Sequence, residues 1–235
     1  IKAEWKSLMI ARKKANVPLV IGSCGTCGTN RMVDWMENIT TELAKELNQN
    51  IKIAKLYCQQ EKNFIKKNLQ LRKIFPLNPA PMLNSQLIEE MTNIVALAGA
   101  EQIQECINTG AEIILAGRTT DTAIISALPL MKGANPGSSW HGAKVVECGA
   151  LCSTNPTSGV VMVEFDKTGF TVEPMSKNAF CTSETVAAHM LYENADPYIL
   201  HEPGGYMDVT YSNYYNIDTK KVRVEGAKWH SSKQY

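Results

Sequence analysis

Pro18-Leu-Val-Ile-Gly-Ser-Cys-Gly-Thr-Cys-Gly-Thr29 is the stretch that decides the fold class. An apolar run of strand length breaks into a loop of glycines and small residues, and an amphipathic segment follows from Asn30. This order is typical of a strand, a tight turn and a helix N-terminus in an α/β domain. Glycines let the backbone turn sharply and approach a ligand, and the free amides of the following helix point beyond the end of the strand. The turn after Gly22 is therefore the first candidate for binding an anion or a substrate.

Strands and helices alternate through the first half of the chain. The predicted strands are apolar or alternating runs at 18–22, 51–57 and 112–116. With helices between them, they predict an α/β fold with a mostly parallel sheet and helices on both faces, in a Rossmann-like region over residues 1–133. Residues 134–235 predict an α+β region that begins with a helix and a hairpin. That region is either a second domain or a continuation of the first.

The composition of the chain argues against nucleic-acid binding and against a membrane-spanning protein. The 235 residues include 24 basic and 23 acidic side chains, and 44% are hydrophobic. This balance predicts no basic face for nucleic acid, and no apolar run approaches the roughly 20 residues that cross a membrane. No signal peptide is visible, and an odd set of seven cysteines is typical of reduced thiols, so we expect a cytoplasmic protein. Because the chain opens on Ile1 and closes abruptly on Tyr235, we interpret it as a fragment.

A second loop, Gly117-Arg-Thr-Thr-Asp121, follows an apolar strand. Ligands of parallel sheets bind outside the carboxyl ends of the strands, so we expect this loop to meet the turn at 22–30. Arg118 offers a planar fork for a carboxylate or phosphate. Asp121 either caps the next helix or orients Arg118, and a purely structural Arg–Asp pair is the alternative. The residues predicted to bind substrate are Gly22, Ser23, Gly25, Thr26, Gly28, Arg118 and Asp121.

Titratable groups of the α+β region are the candidates for chemistry. Lys144 and Glu147 stand one turn apart on a predicted helix, where they form a proton-transfer pair if buried and a solvated contact if exposed. Further along the chain, His189, His201 and Glu202 lie near turns. Two alternatives stay open for them: an acid–base cluster or metal site, and ordinary capping and turn roles.

The cysteines in Cys24-Gly-Thr-Cys27 follow a strand and precede a helix, as in thioredoxin-like proteins. A thiol redox protein is therefore one alternative function, and it requires a lowered pKa at Cys24; the other interpretation is two small residues filling a tight turn. A structural zinc site needs four ligands, and no second CxxC or close Cys/His pair is present, so the spacing predicts no metal site. The turn matches neither a Walker A pattern nor GxGxxG with its acidic partner, so no cofactor is assigned.

Several stretches, taken in order, resemble the acyclic terpene utilisation AtuA-like family. They are Pro18–Gly28, Ala111–Asp121, Trp140–Gly149, Val186–Gly205 and the final Val222-Arg-Val-Glu-Gly226. The resemblance implies a part in the breakdown of branched acyclic terpenoids, which proceeds through acyl-CoA thioesters, and it implies a fragment of the family's N-terminal domain. The Gly-Arg-x-x-Asp turn and the Glu-Cys-Gly helix end match the family pattern. These matches point to Arg118, Asp121 and Glu147 as site residues.

The residues and the resemblance together predict a metabolic enzyme of lyase or hydratase type, acting on a small-molecule carboxylate or acyl-CoA-like substrate. Arg118 and the amides after Gly22 are expected to hold the anion. Glu147 is expected to be the base, with Lys144 or His201 as the acid. The expected assembly is a homo-oligomer or a complex with a companion subunit. The alternatives are a non-catalytic subunit of a larger metabolic complex and the thiol redox protein.

Overall fold

A computed structural model describes residues 1–77, 79–157 and 159–232. The chain forms two compact units, Ile1–Thr120 and Asp121–Tyr235. The domain boundary expected after residue 133 stays a prediction, and the last three residues of the predicted α+β region lie outside the described residues. Within the described ranges, no helix has the length and the apolar character needed to cross a membrane.

The first unit contains a three-stranded parallel sheet in the order β1-β3-β2. Its strands are β1 (Leu19–Ile21), β2 (Ile53–Leu56) and β3 (Ile113–Ala116). Its helices are α1 (Lys2–Ala15), α2 (Asn30–Glu46), α3 (Lys62–Gln70), α4 (Ser85–Glu90) and α5 (Ala100–Asn108). All four residues of the central strand β3 are buried. Because Ile21 pairs with Leu115, β1 and β3 end side by side.

Helices pack on both faces of this sheet. On one face α1 and α2 contribute apolar side chains at helical spacing to a core that includes Ile113 and Leu115 of β3. The buried indole of Trp5 donates a hydrogen bond to Thr40 Oγ1 at 2.9 Å and joins the two helices. Ile114 points to the opposite face because side chains alternate along a strand, and α5 packs against β2 and β3.

The second unit combines helices with two antiparallel sheets, in the orders β4-β5-β9-β8 and β10-β7-β6. Its helices are α6 (Asp121–Met131), α7 (Pro136–Val146) and α8 (Ser183–Ala188), with 3₁₀ helices at Gly149–Cys152 and His189–Leu191. Its strands are β4 (Val161–Phe165), β5 (Gly169–Pro174), β6 (Ile199–Glu202), β7 (Gly205–Asp208), β8 (Asn213–Asn216), β9 (Val222–Glu225) and β10 (Lys228–Ser231). The helix α7 begins at Pro136, where the Asn135 side chain caps it by accepting from Ser138 N at 3.0 Å.

The mixed α/β class is confirmed, but the expectation of a mostly parallel sheet is not. Among the described strands, parallel pairing is confined to β1, β2 and β3. Short connections impose antiparallel pairing elsewhere, because parallel strands need a long crossover. Between β4 and β5 the Asp166 carboxylate accepts from the backbone amides of Thr168 and Gly169, at 2.8 and 3.0 Å, and so closes a tight turn.

Candidate functional site

The glycine turn, residues 22–29, is a strained loop stabilised by its own backbone. Ser23, Gly25, Thr26 and Gly28 all have positive φ, between 48° and 75°. For the two residues with side chains this conformation costs about 1–2 kcal/mol each. Hydrogen bonds inside the turn offset that cost, including Gly28 N to Cys24 O at 3.1 Å.

The loop after β3 lies directly against the glycine turn. Ser23 N donates to Gly117 O at 2.8 Å, and Cys24 N donates to Ala116 O at 3.1 Å. A Cβ atom on Gly28 would lie 2.3 Å from Arg118 N, closer than any real contact allows. The two loops expected to meet at the ends of β1 and β3 are therefore in backbone contact.

Arg118 brings a positive charge to the contact between the two loops. Its Nη1 donates to Ser23 Oγ at 3.3 Å, and the side chain is half-buried. The described part of the first unit gives it no carboxylate partner. The neighbouring Thr119 is buried, and its Oγ1 has no hydrogen-bond partner within the described residues. Arg118 therefore keeps donors free for an anion.

The expected cradle of amides after Gly22 needs correction. Five amides of the turn already donate to backbone carbonyls of this unit; they belong to Ser23, Cys24, Thr26, Cys27 and Gly28. A satisfied amide is a weak anion ligand, because a new bond replaces an existing one. The Ser23 hydroxyl is engaged too, because it donates to Thr119 O at 3.4 Å and accepts from Arg118 Nη1. The main group left to hold an anion beside the turn is therefore the Arg118 guanidinium.

A cleft of about 510 Å³ borders the glycine turn within the first unit. Ser23, Gly25 and Thr26 line one part of it, and apolar side chains that include Leu8 and Trp35 line another. The cleft thus combines an apolar wall with a polar rim, which is the usual composition of a small-molecule site.

The cysteines of the glycine turn do not have the properties of a redox pair. Cys24 is fully buried, and burial raises the pKa of its thiol to about 11. Cys27 is exposed, and its hydrogen bond with the Thr29 backbone lowers the pKa of its thiol. A redox motif needs its nucleophilic thiolate at neutral pH, so the protonated Cys24 thiol disfavours the thiol redox alternative.

In the second unit, the last turn of α7 carries a buried ion pair between Lys144 and Glu147. The Lys144 ammonium donates to Glu147 Oε1, and each side chain is only 8% exposed. The spacing of three residues places both groups on one side of the helix end. Of the two outcomes left open by the sequence, the structure has the buried one. The Tyr192 ring lies 6.0 Å from the ammonium.

Glu202 approaches this pair from the end of β6. Its Oε1 accepts from Thr122 Oγ1, in the first turn of α6, at 2.7 Å. His201, its neighbour, is exposed, and its ring lies 5.8 Å from that of Tyr206. Side chains alternate along a strand, so one of these two neighbours faces the interior and the other faces solvent.

Burial and charge shift both carboxyls toward the protonated form. Burial raises the pKa of Glu202 to about 7; the Thr122 hydrogen bond opposes this rise, and the charge of Glu147 adds to it. Burial also raises the pKa of Glu147, against the opposing effect of Lys144. Asp121, the first residue of α6, adds negative charge that further raises the Glu147 pKa.

Cys148 and His189 complete the arrangement. One ligand atom each from Glu147, Cys148 and His189 lies within 4.8 Å of the other two. His189 is 4% exposed, and burial lowers the pKa of its imidazole, so the ring is neutral at neutral pH. We call Lys144, Glu147, Cys148, His189 and Glu202 the charged cluster.

The charged cluster includes two of the three residues predicted to be catalytic, Lys144 and Glu147, and excludes His201. Sequence reasoning left Glu202 undecided, although a signal was present. Leu200 is buried, and residues two apart on a strand share a face. The apolar residue at 200 therefore indicates that position 202, and not 201, faces the interior.

The sequence model described as "Acyclic terpene utilisation family protein AtuA" matches residues 6–234. The chain belongs to this acyclic terpene utilisation family. The match spans both the glycine turn and the charged cluster. No curated protein and no solved structure matches the chain.

Proposed function

We propose that this member of the acyclic terpene utilisation family is an enzyme that transfers a proton on a branched acyclic carboxylate or its acyl thioester, as a lyase or hydratase does. The observation that carries the proposal is Glu202, a partly buried carboxyl with a pKa raised to about 7 and in electrostatic contact with an ammonium–carboxylate pair. A group that titrates near the working pH is both an adequate base and an adequate acid. The family relation supports the substrate class.

The roles within the charged cluster follow from which groups are free. Glu147 is held by Lys144, so its lone pairs are less available to a substrate proton. Among the described residues, Glu202 accepts a hydrogen bond from the Thr122 hydroxyl alone. We therefore assign to Glu202 the proton transfer first expected of Glu147. Lys144 is the cation suited to stabilise negative charge that develops on a substrate carbonyl oxygen. The acid role first expected of His201 also passes to Glu202.

We assign substrate binding in the first unit to Arg118 and to the cleft at the glycine turn. A guanidinium with free donors suits a carboxylate or a phosphate of a thioester carrier. The apolar wall suits a branched hydrocarbon chain. Asp121 was first expected to bind substrate. We assign it a different role, in which its negative charge helps to raise the pKa of Glu147.

The test compares substitutions at two neighbouring residues, Glu202 and His201, whose side chains lie on opposite faces of β6. Purified protein is incubated with branched, unsaturated acyclic acyl thioesters in deuterated water, and turnover is followed by loss of enoyl absorbance and by deuterium uptake in mass spectra. Glu202→Gln is expected to lower kcat by about 10²–10⁴-fold, whereas the control His201→Gln keeps kcat within about twofold. Equal losses in both variants, or unchanged turnover in Glu202→Gln, would contradict the proposal.

A non-catalytic subunit of a larger complex is the second candidate, and one surface feature favours it. Three apolar residues of the first unit, Phe75, Leu77 and Met82, are 81–87% exposed, and none of them lies in a helix or strand. Exposed apolar side chains grouped in this way are typical of partner contacts. If no thioester of the substrate panel is turned over and the chain instead forms a stable complex by native mass spectrometry, this candidate replaces the enzyme.

A further inference from the structure

We propose that Glu147, Cys148 and His189 bind a divalent transition-metal ion, best Zn²⁺, with one coordination position left open. The three side chains bring a carboxylate oxygen, a sulfur and an imidazole nitrogen within 4.8 Å of one another. Zinc combines these ligand types at catalytic sites, which use three protein ligands and leave the fourth position to water or substrate. The inference goes beyond the proposed function, because it concerns binding in the absence of substrate.

The imidazole of His189 is an independent indication of a ligand. The side chain is 96% buried, since its exposed fraction is 4%, yet its Nε2 atom has no hydrogen-bond partner among the described residues. A buried polar atom without a partner destabilises the folded protein, because it has lost its hydrogen bonds to water and gained none in return. The ring also forms a hydrogen bond with the backbone of Lys144. Histidine ligands are commonly oriented in this way, with one nitrogen on a backbone group and the other on the metal.

The charges around the three ligands favour a cation. Glu147 interacts electrostatically with three other acidic residues, Asp121, Glu193 and Glu202. Lys144 is the positively charged partner of Glu147. Carboxylates therefore outnumber ammonium groups at this point. Lys144 occupies Glu147 Oε1, so the other carboxylate oxygen is available to the metal, and the ammonium becomes the hydrogen-bonded support of a ligand.

The donor set also selects the metal. Thiolate and imidazole disfavour Mg²⁺ and Ca²⁺, which prefer oxygen ligands alone. A tetrahedral zinc ion with bonds of about 2.0–2.3 Å holds its ligand atoms about 3.3–3.7 Å apart. Since the three ligand atoms are at most 4.8 Å apart, the side chains need to close by no more than about 1.5 Å. On binding, the Cys148 thiol releases its proton to solvent and the thiolate donates its electron pair to the metal. The cysteine and histidine are far apart in sequence, which is why their spacing predicted no metal site.

The first experiment uses the wild-type chain, reduced and freed of metal by a chelator. Co²⁺ is added as a spectroscopic probe, and one equivalent is expected to give a thiolate-to-cobalt charge-transfer band that Zn²⁺ then abolishes. Zn²⁺ is also expected to protect Cys148 from alkylation while the exposed Cys27 stays reactive, as read by peptide mass spectrometry. Absence of the band, or alkylation of Cys148 at an unchanged rate, would overturn the proposal without any variant.

Variants then locate the site. Cys148→Ser and His189→Gln are each expected to weaken Zn²⁺ binding at least tenfold in calorimetric titrations, with folding checked by circular dichroism. The matched controls Cys106→Ser and His201→Gln should bind Zn²⁺ as the wild type does. Wild-type affinity in both ligand variants would place the metal elsewhere and refute the assignment. Because these readouts need no substrate, they are independent of the Glu202→Gln turnover test.

Discussion

The glycine turn of the first unit and the charged cluster of the second differ in how conspicuous they are in sequence and in what they contain. The glycine turn is a compact motif that is easily recognised in the sequence. However, most of its amides already donate backbone hydrogen bonds, and its Cys24 thiol is protonated. The charged cluster comes from residues scattered between 144 and 202, yet it holds a buried ion pair and a carboxyl that titrates near neutrality. A conspicuous turn can serve backbone packing, whereas a carboxyl whose pKa is shifted to near neutrality is suited to proton transfer.

The largest effect on stability is expected in the charged cluster. Lys144→Met should lower the free energy of unfolding by about 3–5 kcal/mol, because it leaves the Glu147 carboxylate buried without its partner. The double variant Lys144→Met/Glu147→Gln should recover more than half of that loss. Urea unfolding of the three proteins measures both values. A single-variant loss below 1 kcal/mol would mean that the pair is solvated and that the contrast between the regions fails.

A smaller effect is expected in the glycine turn. Gly28→Ala should cost about 2–4 kcal/mol, because its Cβ would meet the Arg118 backbone at 2.3 Å and the residue has a φ of 66°. Gly110→Ala is the matched control, with a φ of 74° and open space around the new Cβ, and it should cost about 1 kcal/mol. Thermal or urea unfolding distinguishes them. Equal losses would show that the two loops are not in backbone contact.

The smallest of the three effects is the pH dependence contributed by Glu202. Its folded-state pKa of about 7 exceeds the roughly 4.3 of an unfolded glutamate. The folded state therefore binds the proton more tightly, and this stabilisation is complete below pH 4 and lost as pH rises through 7. Between pH 5 and pH 8, wild-type protein should lose about 2 kcal/mol more of its unfolding free energy than Glu202→Gln does. Parallel losses in the two proteins would contradict the shift.

Local patterns of sequence predicted much of the first unit. The apolar run after Pro18 and the one at 112–116 gave β1 and β3, and their parallel order placed Arg118 beside Ser23. The fate of individual amides was not predictable, because it depends on the positive φ values that the turn adopts.

The second unit was harder to predict because its interactions join distant segments. The spacing of Lys144 and Glu147 was visible, but their burial depends on residues far along the chain. Glu202 and His201 lie on opposite faces of β6. The buried Leu200, two residues before Glu202, was the available indication that Glu202 faces the interior. The approach of His189 to Cys148 follows from packing of the 3₁₀ helix against α7, which no local pattern encodes.

The proposed chemistry depends on an exchangeable proton that Glu202 holds at neutral pH. The most direct measurement is a ¹³C NMR titration of the glutamate side-chain carboxyls, with the Glu202 resonance assigned by its absence in Glu202→Gln. The midpoint expected for this carboxyl is near pH 7. A midpoint near the ordinary glutamate value of about 4.3 would contradict it and would remove Glu202 as the proton-transfer group.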